Sequence, residues 1–169
     1  VAWHEAGSAA VAPGTIGQYW GSVIPQGTHG EEARRFVERG GSLVLSPSDA
    51  AYLDMKYDQD SALGLTWAGT IDLRRSYEWE PTSMIDGVPE EQIHGVEAPL
   101  WAETIEDLHD IDELFFPRAA AIAEVGWSPA SGADREWDSF RTRVGALGAH
   151  WDAAGWAGHR PTDIPWSTR

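Results

Sequence analysis

Short apolar runs that end in aromatic and acidic residues recur along this chain, and this recurrence constrains the fold more than any other feature. Each run has the length of a β-strand and is followed by a loop or a helix. Side chains gathered at the carboxyl ends of parallel strands are typical of a β/α barrel, whose loops converge on one pocket. The residues at or shortly after the four ends are Trp3 with His4 and Glu5, Tyr19 with Trp20, Tyr52 with Asp54, and Trp101 with Glu103.

The order of the predicted elements favours a parallel sheet. Strands are predicted at 1–5, 15–20, 42–45 and 93–100, and the acidic start and basic end of 31–39 predict a helix between the second and third strands. The rival architecture is an open doubly wound sheet, which usually carries a glycine-rich phosphate-binding turn. No such motif occurs in this sequence, so a barrel is the better prediction.

The chain is too short for a whole barrel. A (β/α)8 barrel needs eight strands and about 250 residues, whereas this chain has 169 residues and four predicted strands. Helical patterns follow within 105–127, which Pro117 starts or kinks, and over 134–150. We therefore expect residues 1–169 to form the C-terminal half of a TIM-barrel domain of the α/β class, incomplete without an upstream segment.

The residues at the strand ends are suited to binding a sugar. The apolar face of a pyranose packs on an indole ring, and its hydroxyl groups donate well to a carboxylate. Trp101 and Glu103 would present such a pair together, and the aromatic-rich stretch 48–91 is long enough to build part of a site. Each residue also has an ordinary explanation, since a Trp can pack in the core and an acidic residue can be solvated. That explanation is expected to hold for Trp127, Trp137 and Trp151, which fall in helical stretches.

Composition excludes several classes of function. Twelve Lys and Arg against 27 Asp and Glu give a net charge of -15, which would repel nucleic acid and anionic membranes. No stretch is long and apolar enough to span a bilayer. The chain has no Cys, and its six His show none of the common metal-ligand spacings, so we predict no metal site and no cofactor.

Six motifs, spread in order over nearly the whole chain, indicate a family. They are VAWHE at 1–5, QYW at 18–20, LSPSDAAYLDMKYD at 45–58, SYEWEP at 76–81, GVEAPLWAET at 95–104 and FPRAAAIAEVGWSP at 116–129. Together they resemble the family 20 glycoside hydrolases, most closely the secreted bacterial β-N-acetylhexosaminidases of Streptomyces type. A long collinear match of this kind is far more specific than any single motif.

The resemblance implies a role for each candidate residue. Tyr52 would be the catalytic contribution of this chain, because its counterpart in the family holds and stabilises the substrate's acetamido group. The other five would bind substrate: Trp3, Trp20 and Trp101 as pocket walls, and Asp54 and Glu103 as acceptors for the hydroxyls at C4 and C6.

The family's catalytic Asp-Glu pair has no counterpart here. In the family it lies in a motif like H-x-G-G-D-E, whereas the one Asp-Glu dipeptide of this chain, Asp112–Glu113, opens a predicted helix with no glycines before it. The general acid is therefore expected upstream, together with four strands and an N-terminal domain. We predict that this chain alone is inactive.

The implied whole enzyme hydrolyses terminal non-reducing N-acetylhexosamine residues, GlcNAc or GalNAc, by substrate-assisted retaining catalysis. Its expected partners are N-acetylhexosamine-containing oligosaccharides or glycoconjugates and the missing N-terminal part of the same enzyme. The resemblance further implies chitin degradation by a secreted protein. Two alternatives remain open at this point: a non-catalytic carbohydrate-binding fragment, and a retaining β-glycosidase of another family with Glu103 as its nucleophile.

Overall fold

The computed structural model describes residues 1–167, which contain one four-stranded parallel sheet. Strands that are consecutive in the chain are neighbours in the sheet, as in a β/α barrel. No described strand pairs with the outer edge of the first or the last strand. The strands are β1 (Ala2–Trp3), β2 (Ile16–Tyr19), β3 (Ser42–Leu45) and β4 (Ile93–Val96).

Five α-helices are described in residues 1–167, and they follow or connect the strands. A 3-10 turn, His4–Ser8, follows β1 directly. The first two helices after β4 are separated at Phe116 and Pro117, as expected for a proline that cannot continue a helix. None of the described helices could cross a membrane. They are α1 (His29–Glu38), α2 (Leu73–Tyr77), α3 (Leu108–Phe115), α4 (Arg118–Trp127) and α5 (Trp137–Ala154).

The hydrophobic core lies between the sheet and its helices. Leu43 and Leu45 of β3 are fully buried, and so is Phe36 of α1. Phe36 packs directly over the backbone of β2 because Gly17 has no side chain there. A Cβ at this position would lie 2.9 Å from the Phe36 ring, which is closer than atoms pack, so glycine sets the distance between α1 and the sheet.

The opposite face of the sheet is only half covered. Gln18 and Val44 alternate with the buried residues of β2 and β3, and both remain partly exposed. Parallel sheets normally bury both faces. This face corresponds to the interior of the predicted barrel.

Several boundaries differ from the prediction. The first strand stops at Trp3, because the chain turns at His4 and buries that ring. The fourth strand stops at Val96 rather than at Leu100, although the amide of Glu97 still donates to the carbonyl of Leu45 at 2.9 Å.

The helices also differ from the prediction in three respects. The last helix spans Trp137–Ala154 rather than 134–150, and it ends at Gly155 in a left-handed conformation. The short helix α2 was not predicted. Trp127 was expected to pack but is 90% exposed; it ends α4 and lines a hollow beside β4, whose outer edge pairs with no described strand.

Candidate functional site

All six predicted site residues lie at the carboxyl ends of the four strands. Trp3 ends β1, Trp20 directly follows β2, and the other residues lie in the loops after β3 and β4. The amide of Leu53 donates to the carbonyl of Pro99 at 2.8 Å, which joins the last two loops. Together they enclose a cavity of about 360 Å³ lined by Trp3, Glu5, Trp20, Tyr52, Asp54, Trp67, Trp101 and Glu103.

Aromatic rings form a continuous wall around this cavity. The ring of Tyr52 lies 5.7 Å from that of Trp67 and 6.3 Å from that of Trp101, measured between centroids. Trp3 extends the wall from Trp101 at 6.4 Å, and Trp20 extends it from Trp67 at 6.3 Å. Trp3, Trp67 and Trp101 are each between 42% and 56% exposed, so their rings can stack on a ligand.

Tyr52 contributes a hydroxyl group to the lining of the cavity. Its side chain is almost completely buried. Burial raises the pKa of Tyr52 to about 12, and the nearby Trp101 indole offsets part of this shift. The hydroxyl therefore keeps its proton at neutral pH and can donate a hydrogen bond to a bound oxygen.

Asp54 is a buried carboxylate without a partner. It is 2% exposed, and neither oxygen forms a hydrogen bond within residues 1–167. Burial raises the pKa of Asp54; backbone amides at Asp54 and Trp101 are near enough to oppose the shift, and Glu103 adds to it. An unsatisfied buried acceptor is costly, so this group is prepared to accept from a ligand hydroxyl.

Arg118 fixes the loop that bears Tyr52 and Asp54. It is fully buried at the start of α4, and its guanidinium lies 3.8 Å from the centroid of the Tyr57 ring. Within residues 1–167 it forms no ion pair with a carboxylate and donates instead to four carbonyl groups. The acceptors are Leu53, Met55, Ile71 and Leu114. Two of these flank Asp54, so Arg118 holds the backbone on both sides of the site residue.

Glu5 holds the Trp20 side of the pocket. The Trp20 indole N–H donates to Glu5 Oε1 at 2.6 Å. The other oxygen of Glu5 lies 3.5 Å from His4 Nδ1 and has no hydrogen-bond partner within the described residues. Burial lowers the pKa of His4, against the opposing effect of Glu5, so its ring is neutral at pH 7.

Sequence reasoning assigned no role to two of the lining residues, Glu5 and Trp67. Glu5 was recognised as part of the first strand end, and the bond to Trp20 that places it in the wall is not visible in the sequence. Trp67 lies in the long loop after β3, 22 residues beyond the last residue of that strand, Leu45. The available signal was the dense aromatic content of 48–91.

A larger hollow of about 600 Å³ lies on the helix side, between α2 and the start of α5. Of its three aromatic residues, Tyr77 and Trp79 are buried in the core. The third, Trp137, is only partly exposed, and the Arg74 guanidinium lies over its ring at 5.5 Å from the centroid. The smaller cavity at the strand ends is therefore the better candidate for a sugar site.

Comparison with known proteins agrees with this geometry. The model of "Glycosyl hydrolase family 20, catalytic domain" matches residues 1–130. A β-N-acetylhexosaminidase from Cellulomonas fimi is 42% identical over 166 residues, which cover 98% of this chain and 32% of that protein.

Solved structures of the same family superpose closely on the chain. A family 20 β-N-acetylglucosaminidase is 48% identical with a TM-score of 0.92, covering 98% of this chain and 36% of the other. The Streptomyces plicatus N-acetyl-β-hexosaminidase in complex with Thio-NAglucal is 41% identical with a TM-score of 0.91, covering 98% and 33%. The chain thus spans about a third of the length of these relatives, and the predicted partial TIM barrel is confirmed. The chain belongs to glycosyl hydrolase family 20 and forms part of its catalytic domain.

Proposed function

We propose that this chain is the substrate-binding half of a β-N-acetylhexosaminidase that removes terminal non-reducing GlcNAc or GalNAc residues. The observation that supports this most strongly is a single cavity that combines four tryptophans, a protonated tyrosine and three carboxylates. A mutant of the similar Streptomyces plicatus enzyme binds GlcNAc as product. The whole enzyme would act on oligosaccharides or glycoconjugates, including those released from chitin, and would be secreted.

The tryptophan walls would orient the sugar and exclude water. Exposed indole faces at Trp3, Trp67 and Trp101 match the apolar faces of a pyranose and of its acetamido methyl group. Holding a reacting group in line for attack can supply several kcal/mol of the barrier reduction. The wall therefore contributes to rate as well as to affinity.

Tyr52 would act on the acetamido group. In substrate-assisted hydrolysis this group attacks the anomeric carbon, so the enzyme needs no nucleophile of its own. The Tyr52 hydroxyl, which is protonated at neutral pH, would donate to the acetamido oxygen and hold it beneath the ring. The proton for the leaving group would come from a general acid in the upstream half of the barrel.

Asp54 and Glu103 would recognise the hydroxyl groups at C4 and C6. The buried oxygens of Asp54 have no hydrogen-bond donor among the described residues, and sugar hydroxyls would supply one. Glu103 is exposed at the rim of the same cavity. Charge-assisted hydrogen bonds of this kind are roughly twice as strong as neutral ones, which favours carboxylates for binding a neutral sugar.

The direct test is to supply the missing half barrel. The upstream part of the Cellulomonas fimi relative would be fused to this chain, and the product is called the completed enzyme below. We expect it to release nitrophenol from a nitrophenyl N-acetylglucosaminide, whereas the 169-residue chain releases none. Loss of a general acid typically costs roughly 10² to 10⁴ in rate. The matched control is the fusion with its general-acid carboxylate changed to the amide.

The outcomes separate the alternatives. Hydrolysis by the 169-residue chain alone would contradict the division of roles. A folded fusion that binds GlcNAc but hydrolyses nothing would favour a purely carbohydrate-binding role. Equal hydrolysis of a glucoside without the N-acetyl group would contradict substrate assistance, because that substrate lacks the attacking group.

A further inference from the structure

Three metal-ligating side chains meet behind the Trp20 wall. His4 opens the 3-10 turn after β1, while His29 and Glu32 lie in the first turn of α1. One ligand atom from each lies within 4.8 Å of the other two. His4 Nε2 and His29 Nδ1 are 2.9 Å apart. Two imidazoles and one carboxylate are a ligand set that binds Zn²⁺ with a fourth position open.

The second nitrogen of His4 is already oriented for such a site. His4 Nδ1 lies 3.3 Å from the carbonyl oxygen of Gln18 and 3.5 Å from Glu5 Oε2. A metal-bound histidine usually donates its other ring N–H to a carbonyl or a carboxylate, which fixes the tautomer. With Nδ1 protonated, the lone pair of His4 Nε2 points towards His29. The buried Glu5 Oε2, which otherwise has no hydrogen-bond partner within residues 1–167, stands where the supporting carboxylate is expected.

A plain hydrogen bond between the two histidines explains only part of this arrangement. That hydrogen bond does not involve the Glu32 carboxylate, which lies next to both histidines and forms no hydrogen bond or ion pair in the described part of the chain. In a tetrahedral zinc site the ligand atoms are about 3.3 Å apart. The histidine nitrogens would need to separate by only a few tenths of an ångström, and the partly exposed Glu32 would rotate inward.

We propose that His4, His29 and Glu32 bind a divalent transition-metal ion of the zinc class. The ion ties the turn after β1 to the start of α1. Because Glu5 contacts His4 with one oxygen and accepts from Trp20 with the other, the ion also braces one wall of the sugar cavity from outside. The ligands come from segments 25 residues apart, so no local histidine spacing reveals them.

The test is a titration of the purified 169-residue chain with Zn²⁺ by isothermal calorimetry. We expect one ion per chain. Loss of a residue that only supports a ligand typically costs about 10- to 100-fold in metal affinity, so His29→Asn and Glu32→Gln, which change ligands, should each cost at least about 10-fold. Matched controls are Glu38→Gln, at an exposed position of the same helix, and His150→Asn, at an exposed position of α5. Both controls should bind Zn²⁺ like the parent.

Both ligand variants change partly exposed residues, so they should keep the fold, and circular dichroism checks this. The titration is repeated on the completed enzyme, where both edges of the sheet are covered, and Co²⁺ replaces Zn²⁺ to report tetrahedral coordination in the visible spectrum. The proposal is overturned if neither protein binds Zn²⁺ saturably, or if both ligand variants keep the parental affinity.

Discussion

Among the arginines of the helices, Arg118 should be the one whose replacement by methionine lowers the free energy of unfolding most. The guanidinium donates to four carbonyl groups and is fully buried, so no water replaces these bonds when it is removed. Each hydrogen bond from a charged donor is worth about 1.5–3 kcal/mol. Burial of the charge costs several kcal/mol in the parent and offsets part of that gain.

Methionine has a similar length but donates to none of the four carbonyls, and among them Leu114 still accepts from the Tyr57 hydroxyl at 3.5 Å. Each buried carbonyl that loses its donor costs about 1–3 kcal/mol, and relief of the buried charge offsets part of the sum. We therefore expect Arg118→Met to lower the free energy of unfolding by about 3–5 kcal/mol. The matched control is Arg135→Met. Arg135 also donates to carbonyls, but in the described part of the chain it makes two such bonds, to Tyr77 and Trp79, and it is partly exposed. It should cost about 1–2 kcal/mol.

Urea unfolding followed by circular dichroism measures both values. In the completed enzyme, Arg118→Lys should keep the charge but lose the fork of donors, so kcat should fall while the stability loss is smaller than for methionine. The reasoning is refuted if Arg118→Met is no less stable than Arg135→Met, or if Arg118→Lys behaves like the parent in kcat.

Two further predictions concern the carboxylates of the cavity. Glu103→Gln in the completed enzyme should raise KM, because it weakens a ground-state contact worth about 1.5–3 kcal/mol; an unchanged KM in steady-state kinetics would argue against hydroxyl binding. Burial raises the pKa of Asp54 in the folded state above its unfolded value of about 3.9. The stability that Asp54 contributes is therefore fully present below the unfolded pKa, and it is lost as the pH rises through the folded pKa. Asp54→Asn should therefore gain stability relative to the parent between about pH 4 and pH 7, and a constant difference in urea unfolding across that range would contradict the raised pKa.

The strand ends could be predicted because their signals are local. Ser42–Leu45 was predicted with the observed bounds, since the apolar run Leu43 to Leu45 is followed directly by Ser46 and Pro47. The residues that follow parallel strands meet at one edge of the sheet, so the sequence alone predicted that Trp20, Tyr52 and Trp101 lie close together. The roles of these residues in binding remain predictions.

Contacts between distant segments could not be predicted in the same way. Trp67 reaches the cavity from the far end of a long loop, and the ligand set of His4 with His29 and Glu32 joins two elements. Arg118 donates to backbone carbonyls, and because every residue has one, the sequence does not indicate which carbonyls it will contact. The short helix α2 was missed because five residues are too few to show a helical period.

The central claim is that Tyr52 clamps the acetamido group for substrate-assisted attack. A cyclic thiazoline that mimics the intermediate should bind the completed enzyme tightly. Tyr52→Phe keeps the ring contacts with Trp67 and Trp101 but removes the hydroxyl, so it should lower kcat with little change in KM and lose most of the affinity for the thiazoline. A phenylalanine variant that binds the thiazoline as tightly as the parent and keeps its kcat would contradict the account.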